Sequence, residues 1–253
     1  MVRAMETPWQ PNFGFYLSRL GEDPASFVVD LNAQPRPSHP LRLQLRVPLR
    51  QPRPDGLRDK SELEPMGDLE DRLVDALRAR LGAIYVGRLV ARGATEFFFY
   101  APEAARPKLN DLEALVGDTA PYSVEYLAET DSAWQVYTQF LYPDPYSFQA
   151  IVNRSLLEQL EQAGDVMTVA RLVDHLAYFD GEAQAKEASV RLTAAGFSAD
   201  EVTRRDDGRF GLGFHREDAL ADGQADAFVA EVLDIILPLD GDYDGWGCPV
   251  VKG

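Results

Sequence analysis

The chain has 253 residues, with 25 Lys+Arg against 41 Asp+Glu and a formal net charge of −16. Such an acidic surface repels phosphate backbones, which disfavours direct binding of nucleic acid and favours basic partners. Cys248 is the one cysteine, so no intramolecular disulfide can form and we expect a cytoplasmic protein. The segment 1–10 lacks the apolar core of a signal peptide, and no apolar run approaches the roughly 20 residues of a membrane span.

The first half of the chain predicts a hairpin followed by the order β-α-β-β-α-β. The hairpin strands are predicted at 13–20 and 26–31, joined by a turn signal. In 41–49 apolar residues alternate with Arg42, Gln44 and Arg46, which predicts a half-buried strand. The elements that follow are predicted as a helix from 61 to 81, strands at 83–91 and 95–101, a helix at 109–116 and a strand at 122–128.

The second half repeats this order after one extra helix. Tyr142-Pro143-Asp144-Pro145 interrupts the chain, so we predict domains at 1–146 and 147–253. Ser147 is the predicted N-cap of the extra helix. The elements of this half are predicted as helices at 147–163, 182–195 and 218–237 and strands at 170–179, 197–203, 209–215 and 243–251.

The order of elements defines the expected fold class. It is α+β, with two tandem ferredoxin-like (βαββαβ) α/β sandwich domains. Each domain should consist of an antiparallel sheet with its helices on one face.

Two histidines are the first candidates for chemistry. His175 and His215 fall on the two strands that are central neighbours in this fold. We expect both on the open face, because Phe210, Leu212 and Phe214 take the other face of their strand. A metal or acid–base site is one interpretation, but no third ligand lies at a fixed spacing, which favours a structural pair or a binding surface. The sequence therefore predicts no catalytic residue, metal site or cofactor.

Two other strings have plainer interpretations. The segment 209–214 is superficially similar to the aromatic strand of an RNA-recognition motif, but alternation places its aromatic residues together on one face, most simply the core. Asp240, Asp242 and Asp244 precede Gly245, yet the calcium-loop glutamate is missing after that glycine, which favours a solvated turn.

A short string near the end carries a family resemblance. Tyr243-Asp244-Gly245-Trp246-Gly247, together with Arg171-Leu172-Val173-Asp174-His175 and the order of elements, resembles the family of regulator of ribonuclease activity B, the ribonuclease E inhibitor. The resemblance covers about 156–251. It implies a ferredoxin-like domain that binds ribonuclease E outside the catalytic chemistry and so modulates RNA decay.

The first half resembles the family catalogued as domain of unknown function 695. The resemblance covers about 9–146 and rests on Tyr85-Val86-Gly87, on Phe97-Phe98-Phe99-Tyr100, and on Trp134 through Leu141-Tyr142-Pro143. It implies no activity.

These observations favour a non-enzymatic, protein-binding regulatory module whose partner is a ribonuclease or another RNA-degradation component. A small-molecule or metal-dependent enzyme using His175 and His215, and a direct RNA-binding protein, stay open as alternatives, as does a homodimer. Trp246 is interpreted either as an anchor of the last strand or as a binding hot spot. The candidate binding surface consists of Asp174, His175, His215, Tyr243, Asp244 and Trp246.

Overall fold

The computed structural model describes residues 10–252 and divides the chain between Pro143 and Asp144 into two compact units. We refer to them as unit 1 and unit 2. Residues 1–9 and residue 253 lie outside the described residues. The prediction that the segment 1–10 is no signal peptide therefore falls mostly outside them. Within residues 10–252, no helix is both long and apolar enough to cross a membrane. The domain limits at 146 and 147 stay a prediction.

Unit 1 is a six-stranded antiparallel sheet with strand order β1-β2-β4-β5-β3-β6. Without the added hairpin of β1 and β2, the order β4-β5-β3-β6 is the ferredoxin-like one, in which the first and third strands are central. The strands are β1 (Phe13–Leu20), β2 (Asp23–Asp30), β3 (Leu41–Pro48), β4 (Ile84–Ala91), β5 (Ala94–Ala101) and β6 (Glu125–Thr130).

The core of unit 1 lies between this sheet and the helices α1 (Leu63–Leu81) and α2 (Leu112–Val116). The predicted alternation of β3 is confirmed, because its leucines are fully buried against the helices. Helix α1 ends at Gly82, whose φ of 66° is left-handed and therefore suits glycine.

The other face of this sheet is partly covered by the segment 131–141, which the order of elements does not include. Asp131 starts a helical turn there by accepting hydrogen bonds from the backbone N–H groups of Gln135 and Val136, at 2.8 and 3.0 Å. Trp134 is fully buried and stacks on Tyr100, with ring centroids 4.0 Å apart. Tyr100 and Trp134, which belong to two of the strings that resemble the domain of unknown function 695, thus form a second apolar layer.

The string Tyr85-Val86-Gly87 also has a structural explanation, which lies in Gly87. It lies at a β-bulge with a φ of 147°, and a Cβ there would lie 2.3 Å from the carbonyl oxygen of Val28. We infer that glycine is required at this position because any side chain would push β2 away from β4.

Unit 2 has the strand order β11-β7-β10-β8, again the ferredoxin-like one, with β9 paired to β10. The predicted fold class is therefore confirmed for both halves. The elements are α3 (Pro145–Gln162), β7 (Arg171–Phe179), α4 (Glu182–Ala194), β8 (Ser198–Ala199), β9 (Thr203–Arg204), β10 (Phe210–Asp218), α5 (Gln224–Ile236) and β11 (Asp242–Gly247).

Three local predictions in unit 2 were wrong. The N-cap of α3 is Asp144, whose side chain accepts a hydrogen bond from the N–H of Ser147 at 2.8 Å, and Pro145 occupies the first helical turn. The strand predicted at 197–203 is divided into β8 and β9. Helix α5 begins at Gln224, because Asp218 is the last residue of β10 and residues 219–223 form the turn between the two elements.

Candidate functional site

The candidate residues of unit 2 lie on its three strands β7, β10 and β11. Phe214 is directly opposite His175, and His215 is directly opposite Asp174. On the other side of β7, Trp246 is opposite His175. Residues directly opposite each other share a face of an antiparallel sheet. His175 and Trp246 therefore lie on the helix face, whereas Asp174 and His215 lie on the open face.

The expectation that both histidines lie on the open face was wrong for His175. Its imidazole is buried, with 4% of the residue exposed, and stacks on Phe214 with ring centroids 5.0 Å apart. The edges of Phe197 and Phe228 enclose the ring from two other directions. A site built from both histidines is excluded, because the sheet itself separates them.

His175 has one polar partner, Tyr243. Its Nδ1 atom and the Tyr243 hydroxyl oxygen are hydrogen-bonded at 2.7 Å, and its Nε2 atom is buried without a partner. Burial, helped by the positive charge of Arg216, lowers the pKa of His175 to about 3. Burial also raises the pKa of Tyr243. Both groups are therefore neutral near pH 7 and act as a hydrogen-bonded pair within the core.

Trp246 is also turned toward the helices and is half-buried. Its Nε1 donates a hydrogen bond to Oδ1 of Asn153 at 2.8 Å, and its ring meets Phe228 edge-on at 5.3 Å. Asn153 is buried and donates in turn to Asp226 at 2.8 Å. These contacts join β11 to α3 and α5, which favours the anchor interpretation of Trp246 over the hot-spot interpretation.

Trp246→Phe should therefore cost stability. The variant retains a ring but leaves the buried Asn153 oxygen without its donor, so we expect a loss of about 1–2 kcal/mol in the free energy of unfolding. Urea denaturation followed by circular dichroism measures this loss. Tyr178→Phe is the control, because it removes only a hydroxyl from a half-buried residue of the open face and should change little. An unchanged unfolding free energy for Trp246→Phe would refute the anchor role.

The open face of unit 2 carries what remains of the predicted surface. Asp174 is exposed and His215 is half-buried beside it, while Asp244 is exposed at the bulge in β11. Gly245 has a φ of 111° at this bulge, so the glycine of the terminal string has a backbone function.

Sequence reasoning missed the neighbours that complete this face. Leu172 and Glu217 are opposite each other and exposed, and Leu176 and Tyr178 continue the same face of β7. Arg209 lies over the Tyr178 ring, 4.6 Å from its centroid. Alternation along β7 could have identified these residues, because every second position from Leu172 points away from the buried Val173.

The structure supports the core interpretation of the aromatic strand. Phe214 and Leu212 are buried in the core and Phe210 packs partly against it, so this aromatic strand offers no stacking platform on the open face. Among residues 10–252, no group of three His, Cys, Asp or Glu side chains is placed to hold a metal ion. Cys248 is half-buried, and burial raises the pKa of its thiol.

The geometry defines a class of protein, namely two ferredoxin-like α+β units in tandem. The chain belongs to the family of unknown function DUF695, whose model matches residues 11–142. The model of a second family, Regulator of ribonuclease activity B, matches residues 150–248. Both resemblances stated from the sequence are thus confirmed.

Comparison with solved structures adds a distant likeness. The crystal structure of a protein assigned as a glycine cleavage system transcriptional repressor is similar over 84% of this chain and 98% of its own. The two share 8% sequence identity at a TM-score of 0.23. No curated protein sequence matches the chain.

Proposed function

We propose that this chain is a non-enzymatic, cytoplasmic regulator that binds a ribonuclease through the open face of unit 2. The observation that carries the proposal is the match of residues 150–248 to the family Regulator of ribonuclease activity B. Ribonuclease E, which the resemblance implies as the partner, is the first ribonuclease to test.

The charge of unit 2 supports a basic partner. From residue 148 onward the chain has 9 Lys+Arg against 20 Asp+Glu. On the open face, Asp174 and Glu217 are diagonal neighbours on paired strands, and within the described residues neither forms an ion pair. Carboxylates without an internal cation remain available to a cationic partner, where they increase the association rate and the specificity.

The same face also offers apolar contact area. Leu172 is 43% exposed, and Leu176 and Tyr178 are half-buried along the same strand. Binding energy in protein interfaces is concentrated in a few apolar and aromatic residues surrounded by polar ones. The open face of β7 has this composition, because Leu172, Leu176 and Tyr178 lie on it near the charged Asp174 and Arg209.

The test is binding of the full-length chain to purified ribonuclease E from the same organism, measured by biolayer interferometry at several salt concentrations. Reversing the charge of two carboxylates, in Asp174→Lys/Glu217→Lys, should raise the Kd by more than about 10-fold. In a parallel RNA-cleavage assay, the unmodified chain should lower the rate and the variant should not.

The control reverses two exposed carboxylates on the other side of unit 2, in Glu158→Lys/Glu161→Lys on α3. It changes the net charge by the same amount, so binding should stay within about 2-fold of the original. An equal loss of affinity in both double variants would mean that only the net charge of the chain matters. It would refute the open face as the binding site. Absence of binding by the unmodified chain would refute ribonuclease E as the partner.

A further inference from the structure

Unit 1 contains a groove on the sheet face opposite α1 and α2, with a volume of about 740 Å³. Its floor consists of residues of β3, β4 and β5, and one wall is the segment 136–140. We call it the β3 groove. Sites for small molecules commonly have volumes of about 300–1,000 Å³ and combine apolar walls with a few polar groups.

The apolar part of the β3 groove is aromatic. Phe98 lies in its floor and is 1% exposed, and Phe140 forms part of its wall. The two ring centroids are 6.3 Å apart. Phe140 is 40% exposed, although its ring also meets the buried Phe27 edge-on. An aromatic ring or alkyl chain placed in the groove would cover Phe140 and gain hydrophobic free energy.

The polar part comes from three consecutive outward positions of β3, together with Arg92 and Glu96. Arg42, Gln44 and Arg46 all line the groove. A strand rises about 3.3 Å per residue, so the two arginine Cα atoms are roughly 13 Å apart with the amide between them. A ligand that lies along β3 therefore has one arginine near each of its two ends.

Arg42 is unusual because it is a buried arginine, with 11% of its side chain exposed. The residue is 9% exposed, and its Nη2 forms an ion pair with Glu129 on β6. Its Nε is buried without any partner. A guanidinium has five N–H donors, and a buried donor left unpaired costs about 1–3 kcal/mol. This Nε is closed to solvent and to a ligand in the groove, so Arg42 acts there through its positive charge and through the part of its side chain that lines the cavity.

The surrounding carboxylates limit the charge of that acceptor. Arg46 pairs with Glu125 at 3.3 Å, and Gln44 donates to Glu96 at 2.5 Å. With Glu129 and with Asp131, which interacts with Arg42, four carboxylates stand close to the β3 arginines, and Glu96 itself lines the groove. Each would repel a phosphate dianion, whereas a single carboxylate can accept from one guanidinium at a lower electrostatic cost.

From this arrangement we propose that the β3 groove binds a small organic monocarboxylate with an apolar body. The carboxylate accepts hydrogen bonds from the half-exposed Arg46, the charge of Arg42 adds to the attraction, and the apolar body lies against Phe98 and Phe140. The groove lies within unit 1, so this site is independent of the ribonuclease surface proposed for unit 2.

The experiment titrates the full-length chain with 4-phenylbutyrate by isothermal titration calorimetry and by ligand-observed NMR. 4-Phenylbutanol, which has the same body without the charge, and inorganic phosphate serve as matched probes. We expect saturable binding of the carboxylate at millimolar concentrations or below, with affinity at least about 10-fold weaker for the alcohol and for phosphate.

Two variants locate the site. Arg46→Gln removes a half-exposed charge, and Phe140→Ala removes part of the apolar wall; each should weaken 4-phenylbutyrate binding by about 10-fold. Neither side chain is fully buried, so both variants should fold, which circular dichroism checks. Arg78→Gln is the charge-matched control on the exposed side of α1 and should bind like the unmodified chain.

The proposal is overturned if 4-phenylbutyrate shows no saturable binding, if Arg46→Gln and Phe140→Ala bind as well as the control, or if the alcohol or phosphate binds as tightly. These results do not test the ribonuclease proposal, because the groove belongs to unit 1 and the proposed ribonuclease surface belongs to unit 2. The substitutions Asp174→Lys/Glu217→Lys leave the groove unchanged. That double variant should therefore bind 4-phenylbutyrate normally.

Discussion

Arg171→Met should destabilise unit 2 by about 3–5 kcal/mol, because it leaves a buried carboxylate without its cation. The ion pair between Arg171 and Asp165 has side chains that are 3% and 0% exposed. The same guanidinium donates from Nε to the carbonyl of Val169 at 3.1 Å and from Nη2 to that of Val166 at 2.6 Å. Asp165 also accepts from the backbone N–H of Val251 at 2.9 Å, which ties the end of the chain to β7.

Hydrogen–deuterium exchange of the intact chain, followed by mass spectrometry, measures this effect separately in each unit. Peptides of β7 should exchange faster by the factor that corresponds to 3–5 kcal/mol, roughly 100-fold or more, while peptides of unit 1 should not change. Arg191→Met is the control, since its pair with Glu187 on α4 is about half exposed and should contribute less than about 1 kcal/mol. Similar exchange in both variants would contradict a structural role for the buried pair.

A second variant separates two contributions to this loss: the attraction between the two charges, and the cost of leaving the Asp165 carboxylate buried without a cation. Arg171→Met/Asp165→Leu removes both charges, and apolar replacement of a buried ion pair is often nearly neutral. We expect it to recover part of the loss, but not all, because the carbonyls of Val166 and Val169 still lack their donor.

The order of elements was predictable because it depends on local patterns. The alternation in β3 and the glycine after α1 are read within a few residues of the chain, and the structure agrees with both. Two β-α-β-β-α-β series then leave few topologies, so the central pairing of β7 with β10 follows from the fold.

The faces of the candidate residues were harder to predict, because they depend on register. A shift of one residue exchanges the two faces of a strand, and the alternation of β10 says nothing about which β7 residue pairs with Phe214. The signal that was available lay in β7 itself. Val173, His175, Ala177 and Phe179 are spaced two residues apart and share one face of β7. That face is the buried one.

Side-chain pairs distant in the sequence could not be predicted at all. Trp246 binds Asn153, 93 positions earlier, and the chemistry of either residue alone suits a surface equally well. Arg171 and Asp165 are close in sequence, yet charged residues are seldom fully buried, so a solvated pair was the more natural interpretation. The terminal string, on which the resemblance of the second half rests, consists largely of residues that hold β11 in place.

His175 should make the stability of unit 2 depend on pH between about 6.5 and 3. Its pKa in the folded chain is about 3, lowered chiefly by burial, against 6.5 in an unfolded chain. Between these values the unfolded state binds a proton that the folded state does not. The stability from neutral His175 is therefore complete above pH 6.5 and is lost as the pH falls, by up to about 1.4 kcal/mol per pH unit.

Chemical denaturation at pH 6.5 and about pH 5 tests this, because ordinary carboxylates stay largely ionised over that interval. The unmodified chain should lose about 1.6 kcal/mol, whereas His175→Phe/Tyr243→Phe, which removes the buried polar pair together, should lose much less. Burial also lowers the pKa of His39, but that residue is present in both proteins and cancels in the comparison. An equal loss in both would mean that His175 takes up its proton in the folded state, and it would refute the lowered pKa of this residue.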